Sequence, residues 1–376
     1  MASLTALLLL AGAAHAQPDA RGAHPVATWD AGDVSVAEVW VATVVYYAED
    51  LAEAAPVVVV VHGAGRNGSR HEELASTLAS RGFVAVVPDM PTGMLDADHD
   101  SHAAIVSGLL DWALAQSGDS GSPIEGRVDA VARGVVGHSW GGLAVFLAAS
   151  RDPSIRAVVG FDPVDDSALA AAEVGALAGP SIHVMAEAEG CNDDWATAVF
   201  PSAAAPKRRF TVAASGHCDP EDPTDFLCPT VCGVDENRDA TPVYRRYAVA
   251  WLGCLLQGDE AMAPWVTATG DSYDADVAAG LLTDVAEEGM DVVACAVPSG
   301  DADTDTDTDT DSDGDADADS DADPDARAVP ARRDDGGCGC SAPGRPLGLT
   351  WLAIGLVAIA QRKATGDGQQ ATGNRK

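Results

Sequence analysis

The feature that most constrains this chain's fold is the stretch Val135-Val136-Gly137-His138-Ser139-Trp140-Gly141-Gly142. It reads as a short apolar strand that halts at glycine, turns through a serine and restarts as a helix over 143–150. A serine in so tight a strand-to-helix turn is held in a strained backbone conformation, so glycine must flank it where a side chain would collide. The turn pushes the Ser139 hydroxyl out beyond the carboxyl end of the strand. It also aims the first N–H groups of the helix at the same point, where a developing oxyanion would be stabilised. The chain has 38 glycines, so the G-x-S-x-G spacing carries little weight alone; its weight comes from the surrounding chain.

That surrounding pattern alternates strands with helices. Residues 34–47 have the pattern of early strands, and 55–61 contain five consecutive valines, which by length and β-branching predict a fully buried strand. The valine run ends in His62-Gly63-Ala64-Gly65-Arg66-Asn67-Gly68, too glycine-rich to be helix. Helical spacing follows over 72–80, a buried strand over 83–87, and a helix over 102–115 before the serine strand. Beyond it, strands are predicted at 157–160, 181–185 and 209–213, and a last helix at 244–256. Such alternation predicts a mainly parallel sheet covered by helices on both faces, with reactive groups gathered at the carboxyl ends of the strands. Three of those ends carry Ser139, Asp162 and His217, in that order.

Ser139, Asp162 and His217 stand in the order in which the α/β-hydrolase fold arranges nucleophile, acid and base. Three pieces narrow the resemblance: Gly137-His138-Ser139-Trp140-Gly141-Gly142, residues 155–164 reading IRAVVGFDPV, and Ser215-Gly216-His217-Cys218-Asp219. Together they resemble the chlorophyllase and dienelactone-hydrolase-like esterases, with similar elements in polyester hydrolases and platelet-activating-factor acetylhydrolases, over roughly residues 50–257. The resemblance implies a serine hydrolase working through an acyl-enzyme: Ser139 as nucleophile, His217 as base, and the backbone N–H groups of Ala64 and Trp140 as oxyanion hole. In chlorophyllases and the acetylhydrolases the acid follows the strand after the nucleophile, here Asp162. In polyester hydrolases it comes one strand later, where this chain reads Glu187-Ala188-Glu189-Gly190-Cys191-Asn192-Asp193-Asp194, so Asp193 and Asp194 stay open as alternatives. His62 is expected to shape the oxyanion loop. No long lid insertion is read between the later strands, which favours an open cleft.

Composition bears on partners and address. The formal charge is −36, but thirteen aspartates occupy every odd position from 301 to 325, leaving −36 + 13 = −23 for the rest. No basic patch is visible, which excludes nucleic acid as an expected partner. The Asp-Ala and Asp-Thr repeat within 298–335 cannot bury apolar surface and is expected to be an extended linker. Asp309, Asp311, Asp313 and Gly314 imitate a calcium loop, but Ser320 stands where its closing glutamate belongs. Residues 1–16 read as a signal peptide ending Ala14-His15-Ala16, which leaves 17–297 as the catalytic domain. In 336–376, Gly337-Cys338-Gly339-Cys340, a short apolar run at 347–360 and Arg362-Lys363 resemble the MYXO-CTERM sorting tails of exported surface proteins. That resemblance implies membrane retention through the C-terminal segment, with processing or anchoring near Cys338 and Cys340.

Six of the eight cysteines fall between 191 and 295, an even number that suits an oxidising compartment. Cys254 and Cys295 resemble the terminal staple of polyester hydrolases. Cys228 and Cys232 lie four apart, which would leave Cys191 with Cys218, tying the two loops beside the triad. Two acidic clusters, Asp219-Pro220-Glu221-Asp222 and His99 and His102 among Asp96, Asp98 and Asp100, imitate metal sites; the first lacks a second histidine and the second reads as an acidic helix start. The expected protein is therefore an exported, monomeric ester hydrolase with no cofactor and no metal, acting on a small-molecule or polymeric ester of short or medium acyl length. The same triad would serve a peptidase or amidase. A non-catalytic surface adhesin on a hydrolase scaffold is the reading from another class, opposed by the presence of all three triad candidates.

Overall fold

The structure, a computed structural model, describes residues 17–93, 98–193, 198–233 and 235–298. The leader at 1–16, Asp96, Asp194, the aspartate repeat and the tail with Cys338 and Cys340 lie outside the described residues.

Nine strands form one sheet: β1 (Val26–Val36), β2 (Val39–Ala48), β3 (Ala55–Val61), β4 (Val84–Pro88), β5 (Val128–His138), β6 (Ile155–Phe161), β7 (Ser181–Met185), β8 (Lys207–Val212) and β9 (Leu282–Glu288). Their order is β1-β2-β4-β3-β5-β6-β7-β8-β9, and β4 through β8 run parallel. The helices are α1 (Glu72–Ser80), α2 (His99–Ser117), α3 (Trp140–Arg151), α4 (Ala170–Glu173), α5 (Val199–Ser202), α6 (Leu227–Cys232), α7 (Thr241–Leu252), α8 (Ala263–Val266) and α9 (Asp271–Ala278). The alternation predicts this mainly parallel, doubly covered sheet, and its arrangement is the α/β-hydrolase fold that the resemblance implies.

The valine run of β3 explains why the sheet is covered twice. Side chains of a strand point alternately to opposite faces. Val58 and Val60 accordingly pack in the core beneath α1 and α7, and Val57, Val59 and Val61 in the core beneath α2 and α3. Every residue of β3 is buried, which requires an apolar side chain at both parities. At one edge β1 and β2 form an antiparallel hairpin, turned by Ala37 and Glu38, both at positive φ as a two-residue turn of this hand demands.

The sequence stops being a guide after Leu256. The last predicted helix begins at Thr241 and loosens into a π turn over Gly253–Gln257. Then α8 and α9 follow, and β9 adds an antiparallel edge strand to β8, none of which the sequence predicted. β9 is mostly exposed, reading LTDVAEE, so it lacks the apolar run by which the central strands announce themselves. No helix among the described residues is long and apolar enough to cross a membrane.

The expected disulfides need correction. Cys254 pairs with Cys295, but Cys191 pairs with Cys232 and Cys218 with Cys228. Cys191 is not joined to Cys218, because Cys228 and Cys232 lie on one short helix. Residues four apart on a helix have Cβ atoms about 5–6 Å apart, beyond the ~4 Å a disulfide needs. Each therefore bonds to a different neighbouring loop. The two bridges that span 41 residues each stabilise the fold by on the order of 3–4 kcal/mol in the chain-entropy picture.

Candidate active site

At the end of β5 the chain turns through Ser139, whose φ of 58° lies in the left-handed region, into the first turn of α3. The turn closes only without side chains: a Cβ on Gly137 would sit 2.1 Å from the Gly141 carbonyl oxygen, and one on Gly141 would sit 2.5 Å from that of His62. Ser139 is anchored on both sides, its N–H donating to Phe161 O at 3.0 Å and its carbonyl accepting from Val164 N at 3.1 Å. The strained serine is thereby stitched to the loop after β6, which carries Asp162.

The structure brings Ser139, Asp162 and His217 together. His217 Nε2 lies 3.0 Å from Ser139 Oγ, and His217 Nδ1 lies 2.5 Å from Asp162 Oδ2. With the carboxylate accepting from Nδ1–H, Nε2 is left as acceptor for the serine hydroxyl. Asp162 is wholly buried, at positive φ, and its other contacts are donors: Ala186 N to Oδ1 at 3.2 Å and Asn192 Nδ2 to Oδ2 at 2.6 Å. A hydroxyl, an imidazole and a carboxylate in this order can move a proton off the serine and hold the imidazolium that results.

The loop after β7 contributes an amide rather than an acid. Asn192 is buried against Asp162, while Asp193 is exposed and lines a separate depression with Met185, Glu187 and Arg209. The side-chain pattern Asn-Asp-Asp at 192–194 gave no sign of which member turns inward. Glu189, from the same loop, accepts from His217 N at 2.5 Å, so this loop holds both the acid and the base.

Ala64 and Trp140 both line the cleft beside Ser139. Trp140 is the first residue of α3, where an N–H has no acceptor within the helix. His62 braces the Ala64 loop: its Nε2 accepts from Met90 N at 2.8 Å, which leaves Nδ1–H to donate to Gly63 O at 2.8 Å. Burial lowers its pKa, so this neutral tautomer persists.

His138 does work the sequence did not reveal. Its Nε2–H donates to the carbonyl oxygen of His217 at 2.7 Å, clamping the backbone of the base to the serine turn. Behind it, edge-on at 5.7 Å, lies His71, buried with no hydrogen-bond partner on either ring nitrogen. Burial pushes the His71 pKa from 6.5 down to about 4. The folded state therefore holds His71 neutral, while the unfolded chain takes up a proton below pH 6.5. Its contribution is intact above pH 6.5 and is lost as the pH falls toward 4, about 3 kcal/mol in all. Urea midpoints measured at pH 7, 5 and 4 should show that loss, and His71→Leu should flatten the slope by one proton. An unchanged slope would assign the acid sensitivity to other groups.

The acids that imitated metal sites have separate partners. Asp219 accepts from Gly216 N and Asn237 N, Glu221 from Arg66, and Asp222 from Arg245. Asp98 caps α2, Asp100 pairs with Arg151, and His99 pairs with Asp166 at 3.1 Å at the edge of the cleft. The sulfurs of Cys218, Cys228 and Cys232 lie close together, but all three are in disulfides, which leaves no thiolate to bind a metal.

The cleft itself, about 360 Å³, is walled by Ala64, Trp140, Val164, Leu227 and Val231. The segment after His217 brings α6, a six-residue helix that the sequence did not predict, to the cleft wall.

A family profile described as PETase, PET hydrolase-like, matches residues 12–272. The chain is 36% identical over 90 residues to cutinase est1 of Thermobifida alba, covering 24% of this chain and 29% of that protein. It is 33% identical over 90 residues to cutinase 2 of Thermobifida cellulosilytica and to cutinase cut1 of Thermobifida fusca, covering 32% and 27% of their lengths. The chain thus spans about a third or less of the cutinases it matches.

Proposed function

The chain belongs to the PET hydrolase-like family, and on that premise we propose that it is a serine carboxylic-ester hydrolase acting on polyester-like or short to medium acyl substrates. The observation that carries the reading is the hydrogen-bonded chain Ser139–His217–Asp162 at the end of a glycine-lined turn. Ser139 Oγ attacks the ester carbonyl while His217 Nε2 takes its proton, and the N–H groups of Ala64 and Trp140 stabilise the oxyanion. The tetrahedral intermediate collapses, the alcohol leaves with the proton from His217, and Ser139 keeps the acyl group. Water, deprotonated by His217, then releases the acid. Asp162 holds His217 in the required tautomer and is itself held by Asn192 and Ala186.

The reading includes export, which the three disulfides support, since such bonds persist in oxidising compartments. The leader at 1–16 and the sorting tail at 336–376 would supply the address, with a monomeric catalytic domain held at the cell surface.

Rapid mixing with p-nitrophenyl butyrate should give a burst of p-nitrophenol followed by a slower steady rate. Acid quenching during the burst and peptide mapping should find one butyryl group on the peptide containing Ser139. Turnover with the acyl group on another residue, or with none, would refute the acyl-enzyme assignment.

A further inference from the structure

Two adjacent acids after β6 turn in opposite directions. Asp165 is buried, its carboxylate accepting from Leu169 N and Ala170 N at 2.9 Å each, where α4 begins. Asp166 turns to the cleft and is, among the described residues, the one carboxylate that lines it. Its Oδ1 accepts from His99 Nε2 at 3.1 Å and from Ser167 Oγ at 3.0 Å. His99 is buried and its Nδ1 has no hydrogen-bond partner, so the ring sits there as the Nε2–H tautomer. The hydrogen bond from His99, joined by that from Ser167, lowers the Asp166 pKa below the ordinary carboxylate value. Asp166 is therefore an anion at neutral pH.

The cations and imidazoles that line the cleft do not offset this charge. Arg66 is held by Glu221 and Asp225. Burial keeps His138 neutral, and His217 faces Asp162. Position then decides which part of a substrate meets the charge. The leaving oxygen must face His217 Nε2 to receive its proton. Asp166 stands on the other side, because its partner His99 packs edge-on against Trp140 of the oxyanion hole, with ring centres 5.7 Å apart. It flanks the acyl part of a bound ester.

We propose that Asp166 is a specificity-determining residue, a fixed negative charge that selects esters with uncharged or cationic acyl parts over those ending in a free carboxylate. The proposal rests on the esterase reading above and names the substrate class of that site. The rest of the wall, at Ala64, Val164, Leu227 and Val231, is aliphatic and accepts a hydrocarbon chain whatever its end group. Discrimination between end groups of equal length therefore falls to the one carboxylate. Its side chain is 26% exposed, so water moderates the repulsion without abolishing it. A like charge within about 6–8 Å in such a site weakens binding on the order of tenfold.

The test uses p-nitrophenyl esters of three acids with equal chains, at low ionic strength: hexanoate, adipate with its free carboxylate, and 6-trimethylammoniohexanoate. Wild type should favour hexanoate over adipate about tenfold in kcat/KM and take the cationic ester at least as well as hexanoate. Asp166→Asn, which keeps an acceptor for His99, should shrink the hexanoate-to-adipate ratio about fivefold and move the cationic ester the opposite way. The change should fall mainly in KM, because the charge acts alike on the bound ester and its transition state. Asp166→Glu should restore the wild-type order. A purely structural role would slow all three esters together and leave the ratios unchanged, and that result would overturn the proposal. Asp193→Asn removes an exposed carboxylate outside the cleft and should leave the ratios as they are. A shift as large as that of Asp166→Asn would overturn the proposal too, by assigning the selection to the chain's overall negative charge. Equal turnover of all three esters by wild type would sink this proposal alone. Turnover of none would sink the esterase reading and this proposal with it.

Discussion

Asp162→Asn is expected to lower kcat by about 10⁴ while leaving the fold intact. The substitution is isosteric, and Ala186 N and Asn192 Nδ2 remain in place around it. What changes is the group facing His217 Nδ1. An amide whose NH₂ turns toward the ring requires Nδ1 to accept, which moves the ring proton to Nε2, where it can no longer take one from Ser139. Steady-state hydrolysis of p-nitrophenyl butyrate measures the effect, and Asp193→Asn provides the comparison. Asp193 is exposed and outside the triad contacts, so its substitution should change kcat by less than about threefold. The reverse ranking would move the acid to the loop after β7.

Arg66→Met is expected to destabilise the protein by about 3–5 kcal/mol, the usual cost of leaving a buried charge without its partner. Arg66 forks onto Glu221 with two hydrogen bonds of 2.7 Å and reaches Asp225 at 2.9 Å. The Glu221 side chain is 0% exposed, and once Arg66 is gone its carboxylate keeps only Thr224 Oγ1 as a side-chain donor. For a domain of this size the melting temperature should fall by roughly 10 °C. The double variant Arg66→Met/Glu221→Leu should recover most of the loss, because the isolated charge is then removed as well. A double variant no more stable than Arg66→Met would mean that packing, rather than the ion pair, sets the cost. Activity should fall further than stability explains in the single variant. Arg66 lies two residues from Ala64 and Glu221 four from His217, so this pair sets the spacing between oxyanion loop and base.

What the sequence determined by itself is what short-range physics controls. Five valines in a row can only be a strand buried on both faces, and they divide between two cores as their alternation requires. Gly137 precedes the serine turn because a Cβ there would strike the Gly141 carbonyl, a steric rule that acts within five residues. The elbow and the β/α alternation thereby place the fold, and the strand ends place Ser139, Asp162 and His217 on one rim. The tertiary structure decided which distant groups meet. Asn192 rather than Asp193 turns onto Asp162 across 30 residues, His138 reaches the backbone of His217 across 79, and Arg66 meets Glu221 across 155. None of these pairings leaves a periodic trace, since each depends on where two loops come to rest on a finished sheet. The cysteines show the same limit. Their number announces an oxidised, stapled half, but fifteen pairings satisfy the count. Only the helical turn that separates Cys228 from Cys232 by too much to bond sends them to Cys218 and Cys191, and so holds α6 at the mouth of the cleft.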